Sequence, residues 1–236
     1  MGVKKRDAQR RWWRISIVTG IIILIGALVT TKTKSLSGAQ DCRDWASVES
    51  LIPPVQFYDF DSTEWNTLDV VDFELDSNLS KEAYRIVSDE DGVKVYHGLE
   101  GDHRAQSTLG QLGLMGAEVA LPWGEITDEP VFRHRGVLLD VCRHFFTVDE
   151  VKRHLDIMAL YKFNVLHWHL TEDQGWRIAM NQYPKLAEVA AFRMHGDSTY
   201  GGSYSREDLE EVVNYAAGYG IEVIPEIELP GHSQAA

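Results

Sequence analysis

Two capping signals, one after the other along the chain, limit what it can fold into more than any other feature. At Thr147-Val148-Asp149-Glu150 a hydroxyl is followed three residues on by a carboxylate, the pairing in which each side chain satisfies an orphan amide of a helix start. Behind it Val148, Val151, Leu155 and Met158 recur at helical spacing with Lys152 and Arg153 between them, which predicts an amphipathic helix with one buried stripe. Ser205 and Asp208 repeat the signal, and Leu209, Val212, Val213 and Ala216 form the second stripe, ended by Gly218 or Gly220. Before, between and after these helices stand short β-prone apolar runs, at residues 137–139, 164–170 and 221–224. Strand, helix, strand, helix, strand is the pattern of a parallel α/β sheet with right-handed crossovers.

Each of the three runs ends in groups that carry chemistry. The first, expected to be buried, ends at Asp140, with Arg143 and His144 where a loop would begin. The second reads KFNVLHWHLTEDQGWR over residues 162–177. Period-two alternation sends Leu166, Trp168 and Leu170 to an apolar face and Val165, His167 and His169 to the other. Glu172, Asp173, Gln174 and Arg177 then crowd around Gly175 and Trp176, the composition of a polar-ligand pocket. The third ends at Pro225 and Glu226, followed by Ile227-Glu228-Leu229-Pro230-Gly231-His232. In a parallel α/β barrel, functional side chains gather at such strand ends. Two plainer readings compete: Asp140 and Arg143 as a local ion pair, and His167-x-His169 as a pair of zinc ligands completed by Glu172 or His232, as in metal-dependent barrel hydrolases.

The rest of the chain reads more simply. Residues 1–14 are basic and residues 15–29, ISIVTGIIILIGALV, are free of charge, the pattern of an export signal or a membrane anchor. The apolar run is short of the roughly 20 residues of a span, though Thr30 and Thr31 extend it. The cations Lys4, Lys5, Arg6, Arg10, Arg11 and Arg14 precede it, which keeps the N-terminus cytoplasmic and sends the body across the membrane. Lys32 and Lys34 stand between that run and the small residues Ser37-Gly38-Ala39, which favours an uncleaved anchor. The chain carries a formal charge of -13 despite this basic tip, and an acidic body argues against nucleic acid. Cys42 and Cys142 would meet an oxidising compartment, but the apolar setting of Cys142 favours a buried thiol over a disulfide. Asn78-Leu79-Ser80 is a glycosylation sequon, relevant only in a eukaryotic secretory pathway.

Residues 35–65 have no steady period and contain Pro53-Pro54, so they read as a linker with one extended piece near residues 55–60. Residues 83–87 and 93–96 form two strands around Asp89-Glu90-Asp91-Gly92, a hairpin signal, and a helix starts near Thr108. The stretch after Arg177, with Tyr183-Pro184 and Gly201-Gly202, reads as irregular. The division is therefore a basic tip and anchor or signal (1–34), a linker (35–65), a small α+β domain (66–130) and the start of a barrel (131–236).

Three motifs, RGVLLDVCRHFF, KFNVLHWHLTEDQGWR and EVIPEIELPGHSQAA, together resemble glycoside hydrolase family 20, the β-N-acetylhexosaminidases, in order along successive early strand ends. The resemblance runs from about Arg133 to Ala236, and the unit before it is similar to the small domain that precedes that family's barrel. It implies a (β/α)8 barrel, of which about the first three βα units are here, and removal of terminal β-linked N-acetylglucosamine or N-acetylgalactosamine from glycans or chitin fragments. The family is retaining and uses the substrate's own acetamido oxygen as nucleophile, outside the usual two-carboxylate scheme. No metal or cofactor is implied. Arg143 matches the arginine that binds the sugar's outer hydroxyls; Asp140, His169 and Asp173 flank it as substrate-site residues. Glu172 and His232 match the acid and histidine that are paired to support the general acid, although many members have Asp where this chain has Glu172.

In the family an adjacent Asp-Glu pair follows at the fourth strand: the Asp orients the acetamido group and the Glu protonates the leaving oxygen. No such pair stands in a matching context here, since Asp149-Glu150 opens a helix and Glu129 precedes Pro130. A closed barrel needs roughly 200 residues or more. The expectation is a piece of a longer enzyme, inactive and poorly folded by itself; the non-enzymatic alternative is a membrane-tethered sugar-binding remnant.

Overall fold

A computed structural model describes residues 51–68, 71–114 and 120–236. The chain divides into two compact units, Met1–Pro130 and Val131–Ala236. The expected membrane segment at residues 15–31, and Cys42, lie outside the described residues. Among the described residues no helix is long and apolar enough to cross a membrane.

In the first unit, strands β1 (Phe57–Thr67), β2 (Val71–Leu75), β3 (Tyr84–Asp89), β4 (Gly92–His97) and β5 (Ala120–Asp128) make one sheet in the order β1-β5-β3-β4-β2, with helix α1 at Gly101–Leu114. The expected hairpin is β3 paired antiparallel with β4, and Gly92 takes the positive φ of 112° that its turn requires. Alternation buries Tyr84, Ile86 and Ser88 on one strand and Val93, Val95 and His97 on the other. With Ala105 and Leu112 of α1, Leu121 and Ile126 of β5, and Leu51, the apolar members of this set form the unit's core.

Two expectations fail here. The stretch taken as linker to residue 65 contributes the eleven-residue strand β1, paired along β5; its acidic and hydroxyl residues hide the alternation that a local reading looks for. The helix begins at Gly101, seven positions before Thr108, because Asp102 and Arg104 are buried polar residues that mask its apolar stripe.

In the second unit, β6 (Gly136–Asp140), helix α2 (Val148–Leu160), β7 (Val165–His169), helix α4 (Arg206–Ala217) and β12 (Glu222–Glu226) give a three-stranded parallel sheet in the order β12-β7-β6. Both capping boxes form, Thr147 with Glu150 and Ser205 with Asp208, each adding about 1 kcal/mol to its helix. Val151, Leu155 and Met158 of α2, Val212 and Ala216 of α4, and Leu166 and Trp168 of β7 share one core, with Val137, Leu139 and Val223 packed against it. Val213 is exposed, so the stripe of α4 is narrower than expected.

The other face of the sheet carries Leu138 and Asp140, His167 and His169, and Ile224 and Glu226, set side by side by the register. Here the expectation of a buried first strand fails: Leu138 is 54% exposed and Ile224 41%. The expected alternation of β7 holds, with Leu166 and Trp168 in the core and His167 and His169 on the other face, and the strand is deeply placed: Val165, Leu166, Trp168 and His169 are all buried. It is the central strand of the sheet, with a hydrogen-bonded neighbour on each side.

The stretch after Arg177 is more ordered than its sequence suggests. Just before it the short strands β8 (Thr171–Glu172) and β9 (Gly175–Trp176) pair, and the stretch itself holds a single helical turn α3 (Lys185–Glu188) and the hairpin β10 (Phe192–His195) with β11 (Ser198–Gly201).

Candidate functional site

The three parallel strands end level with one another, because Asp140 pairs with His169 and His169 pairs with Glu226 in the sheet register. The last residue of each strand is thus a carboxylate, an imidazole and a carboxylate, side by side. Asp140 caps the turn that follows it: its Oδ1 accepts from the amides of Cys142 and Arg143 at 2.9 and 3.0 Å. Its Oδ2 accepts from Nη1 of Arg143 at 2.5 Å. The local ion pair anticipated as the plain reading therefore exists, but it is half of a larger arrangement. Nη2 of the same guanidinium donates to Oε2 of Glu172 at 2.7 Å.

Glu172 is the centre of the arrangement and is 3% exposed. Its Oε2 also lies 3.1 Å from Nε2 of His169, while its Oε1 accepts from Nδ1 of His232 at 2.7 Å and from the amide of Asp173 at 3.1 Å. Burial pushes this carboxyl up, yet those contacts outweigh it and hold Glu172 below its ordinary value. Burial likewise pushes Asp140 up, and the contacts from Arg143 and the Cys142 amide outweigh it and hold Asp140 below its ordinary value. The hydrogen bond to Glu172 raises the imidazole of His232, a residue held at a positive φ of 50°.

The loop that carries His232 is tied down at three points. The amide of Glu228 donates to Oγ1 of Thr171 at 2.7 Å, His232 reaches Glu172, and the amide of Gln234 donates to Oδ1 of Asp173 at 3.0 Å. All six residues singled out from the sequence, Asp140, Arg143, His169, Glu172, Asp173 and His232, are thus brought together at one rim. The extra methylene of Glu172 does not cost it its partners.

Arg177 does not belong to this pocket. It is fully buried, and its guanidinium donates to the backbone carbonyls of Val141 at 2.8 Å, Cys142 at 2.6 Å, Ala191 and Gly202. It stacks over Phe145 at 5.4 Å. A side chain at Gly175 would run into it. Sequence alone could not tell this cation from Arg143, because the carbonyls it satisfies come from distant segments. Hairpin β10/β11 holds the same turn from outside: Tyr200 Oη accepts from the amide of Phe145 at 2.9 Å, and Arg193 donates to the carbonyl of Arg143 at 2.6 Å. The thiol of Cys142 is buried under it, contacts the His169 carbonyl at 3.1 Å, and is pushed up to about 12, chiefly by burial.

The structure adds Glu226, which the sequence places at a strand end without a partner. Its Oε2 lies 2.8 Å from Nε2 of His167 and 2.7 Å from Nδ1 of His169. The two imidazoles of the His-x-His pair therefore converge on a carboxylate. Among the described residues three groups present ligand atoms within 4.8 Å of one another: Asp140, Cys142 and His169; His169, Glu226 and Glu228; Glu172, Asp173 and His232. His167 belongs to none of them.

The charge pair at the centre sets a pH dependence. A depressed Glu172 adds stability above its ordinary value and loses it as pH falls through the folded value; a raised His232 adds stability below its ordinary value and loses it as pH rises. The thermal midpoint of the wild type minus that of His232→Asn is therefore expected to be largest between about pH 4.5 and 6.5 and to shrink on both sides. A difference that stays flat from pH 4 to 8 would contradict the pairing.

Helix-crossed parallel strands with ionisable groups at their carboxyl ends define the α/β class of fold. The model of the glycosyl hydrolase family 20 catalytic domain matches residues 132–236, and the chain belongs to that family. It is 46% identical over 170 residues to a beta-hexosaminidase of Porphyromonas gingivalis, covering 67% of this chain and 22% of that protein. A beta-hexosaminidase of Akkermansia muciniphila is 40% identical over 192 residues, covering 79% of this chain and 39% of that one. The crystal structure of a GH20 exo beta-N-acetylglucosaminidase from Vibrio harveyi in complex with N-acetylglucosamine superposes with a TM-score of 0.65 at 36% identity, over 70% of this chain and 28% of the other. The chain spans well under half the length of these relatives.

Proposed function

We propose that the protein carrying these residues is a glycoside hydrolase that removes terminal β-linked N-acetylhexosamine from glycans or chitin fragments, by a retaining, substrate-assisted mechanism. The observation that supports this reading best is the unbroken chain of contacts from Arg143 through Glu172 to His232 at the strand ends. A guanidinium has five N–H donors. Arg143 is half exposed and directs its two terminal nitrogens at Asp140 and Glu172. Those carboxylates fix the fork, and its other donors are left to grip sugar hydroxyls.

Glu172 and His232 act as the pair that orients and charges the neighbourhood of a general acid; Asp173 anchors their loop and His169 holds Glu172 from behind. The acid itself, and the Asp that would orient the acetamido group, are not among the described residues at this rim. Asp149 and Glu150 open α2, where Glu150 is spent on capping Thr147. The 236 residues alone are therefore expected to give no turnover.

The test is hydrolysis by the full-length protein of an aryl N-acetyl-β-glucosaminide beside the corresponding β-glucoside. Cleavage of the first alone is expected, because only it carries the acetamido oxygen; equal cleavage of both, or of neither, overturns the reading. In the same assay Arg143→Ala is expected to lower kcat/KM about a hundredfold, mostly through KM, the loss that goes with hydrogen bonds to a charged group. An unchanged kcat/KM would remove Arg143 from the sugar site.

Residues 15–31, with the six cations before them, support export with the body on the far side of a membrane, held by an uncleaved anchor. Retention in the membrane pellet after alkaline carbonate extraction is the expected result. Release of a shortened chain would favour a cleaved signal.

A further inference from the structure

The contact chain does not stop at Glu172. Behind it, His169 is buried, with its Nε2 3.1 Å from Oε2 of Glu172 and its Nδ1 2.7 Å from Oε2 of Glu226. A ring with a carboxylate beside each nitrogen is fixed in rotation, and it offers a donor to both only when both nitrogens carry protons. Glu226 is the carboxylate at the second nitrogen, at ion-pair distance. It is placed by register, as the last residue of β12 directly opposite the last residue of β7, and it is steadied from its other side by Nε2 of His167 at 2.8 Å.

We infer that Glu226 is a positioning residue of this site, acting through His169 to hold Glu172 in the orientation that serves His232. The inference rests on the hexosaminidase reading and extends it to a residue that does not touch the sugar. Burial alone would raise the Glu226 carboxyl, but His169, Glu228 and His167 outweigh it and keep it below its ordinary value, in keeping with an anion at this place. The two ends of the chain differ in what they lose when Glu226 is changed. Arg143 keeps a second carboxylate in Asp140, whereas His232 is hydrogen-bonded through Nδ1 to Glu172. The defect therefore falls on the chemical step and spares the grip on the sugar.

The experiment is a double-mutant cycle in the full-length protein: wild type, Glu226→Gln, His169→Gln and the double variant, each measured for kcat, KM and thermal midpoint. Glu226→Gln is expected to lower kcat about tenfold, the size of effect seen when a residue behind a functional one is changed, with KM within about twofold. In the His169→Gln background it is expected to lower kcat no further, because the two act as one unit. An unchanged kcat, or full additivity in kcat, overturns the inference; so does a loss of thermal midpoint without loss of kcat, which is what a purely structural role gives. If the wild type hydrolyses nothing, the hexosaminidase reading is what has failed. The midpoints of the four proteins then still decide the contact, with non-additivity supporting it and additivity overturning it. Should Glu226→Gln not fold, the cycle is run with Glu226→Asp, which keeps the charge one methylene back, and the same criteria apply.

Discussion

Replacing Arg177 with alanine is expected to destabilise the barrel unit by about 3–5 kcal/mol, the cost of removing one partner from a buried, fully hydrogen-bonded ionic centre. The guanidinium ties together three stretches that are far apart in sequence: the turn after β6 through the Val141 and Cys142 carbonyls, the start of the hairpin through Ala191, and the end of the hairpin through Gly202. Alanine would take this donor from the Val141, Cys142 and Gly202 carbonyls, while Ala191 keeps the amide of Gly202, and each buried group left unsatisfied costs about 1–3 kcal/mol before any relaxation. It would also open a cavity beneath Phe145, whose ring lies over the guanidinium. Lysine does not rescue the site, because a single ammonium cannot reach carbonyls in different directions as a planar fork does. Burial pushes the Arg177 guanidinium down, the direction expected of a cation balanced by carbonyl dipoles. Denaturant unfolding of the full-length protein measures the effect; a loss below about 1 kcal/mol for Arg177→Ala would show that the carbonyls find other donors.

Glu172→Ala is expected to have the largest effect on activity, a fall in kcat/KM of about a thousandfold, the upper end of what one preorganised electrostatic contact contributes. Among the described residues the carboxylate is the one group that touches Arg143, His169 and His232 together, so its loss takes a partner from two imidazoles and half of the guanidinium's support at once. Glu172→Gln keeps the volume and separates charge from shape: it should lose most of the same activity, since an amide cannot accept from several donors as an anion does. Glu172→Asp retains the charge and should be the mildest of the three. Steady-state kinetics on an aryl N-acetyl-β-glucosaminide checks the series. A Gln variant with wild-type kcat/KM would mean that the charge of Glu172 plays no part.

How much of this could be read along the chain depends on whether a contact is local. Both helix starts were legible because a capping box is a four-residue event, and the Thr147 and Ser205 boxes form as their sequences imply. The grouping of Asp140, Arg143, Glu172 and His232 was legible for a different reason: in a parallel sheet every strand ends on the same rim, so order along the chain becomes adjacency in space. The strand β1 was legible only as a short extended piece near residues 55–60, not along its full length. Its partner β5 lies more than fifty residues on, and the acidic residues Asp59, Asp61 and Glu64 break the apolar alternation. Arg143 and Arg177 would have looked alike on any local criterion, yet Arg143 is half exposed and faces carboxylates at an open rim, and Arg177 is buried and faces carbonyls inside.

By itself the sequence determined the βαβαβ order, the places where helices begin, and which chemical groups stand at the ends of the strands, because these follow from spacing within a few residues and from the handedness of the chain. Only the tertiary structure decided which of those groups meet. Glu226 joins the site because the register sets it opposite His169; Arg177 leaves it because four carbonyls from separate segments enclose it. Distances between residues sixty positions apart depend on how strands and loops pack, and no periodicity along the chain records them.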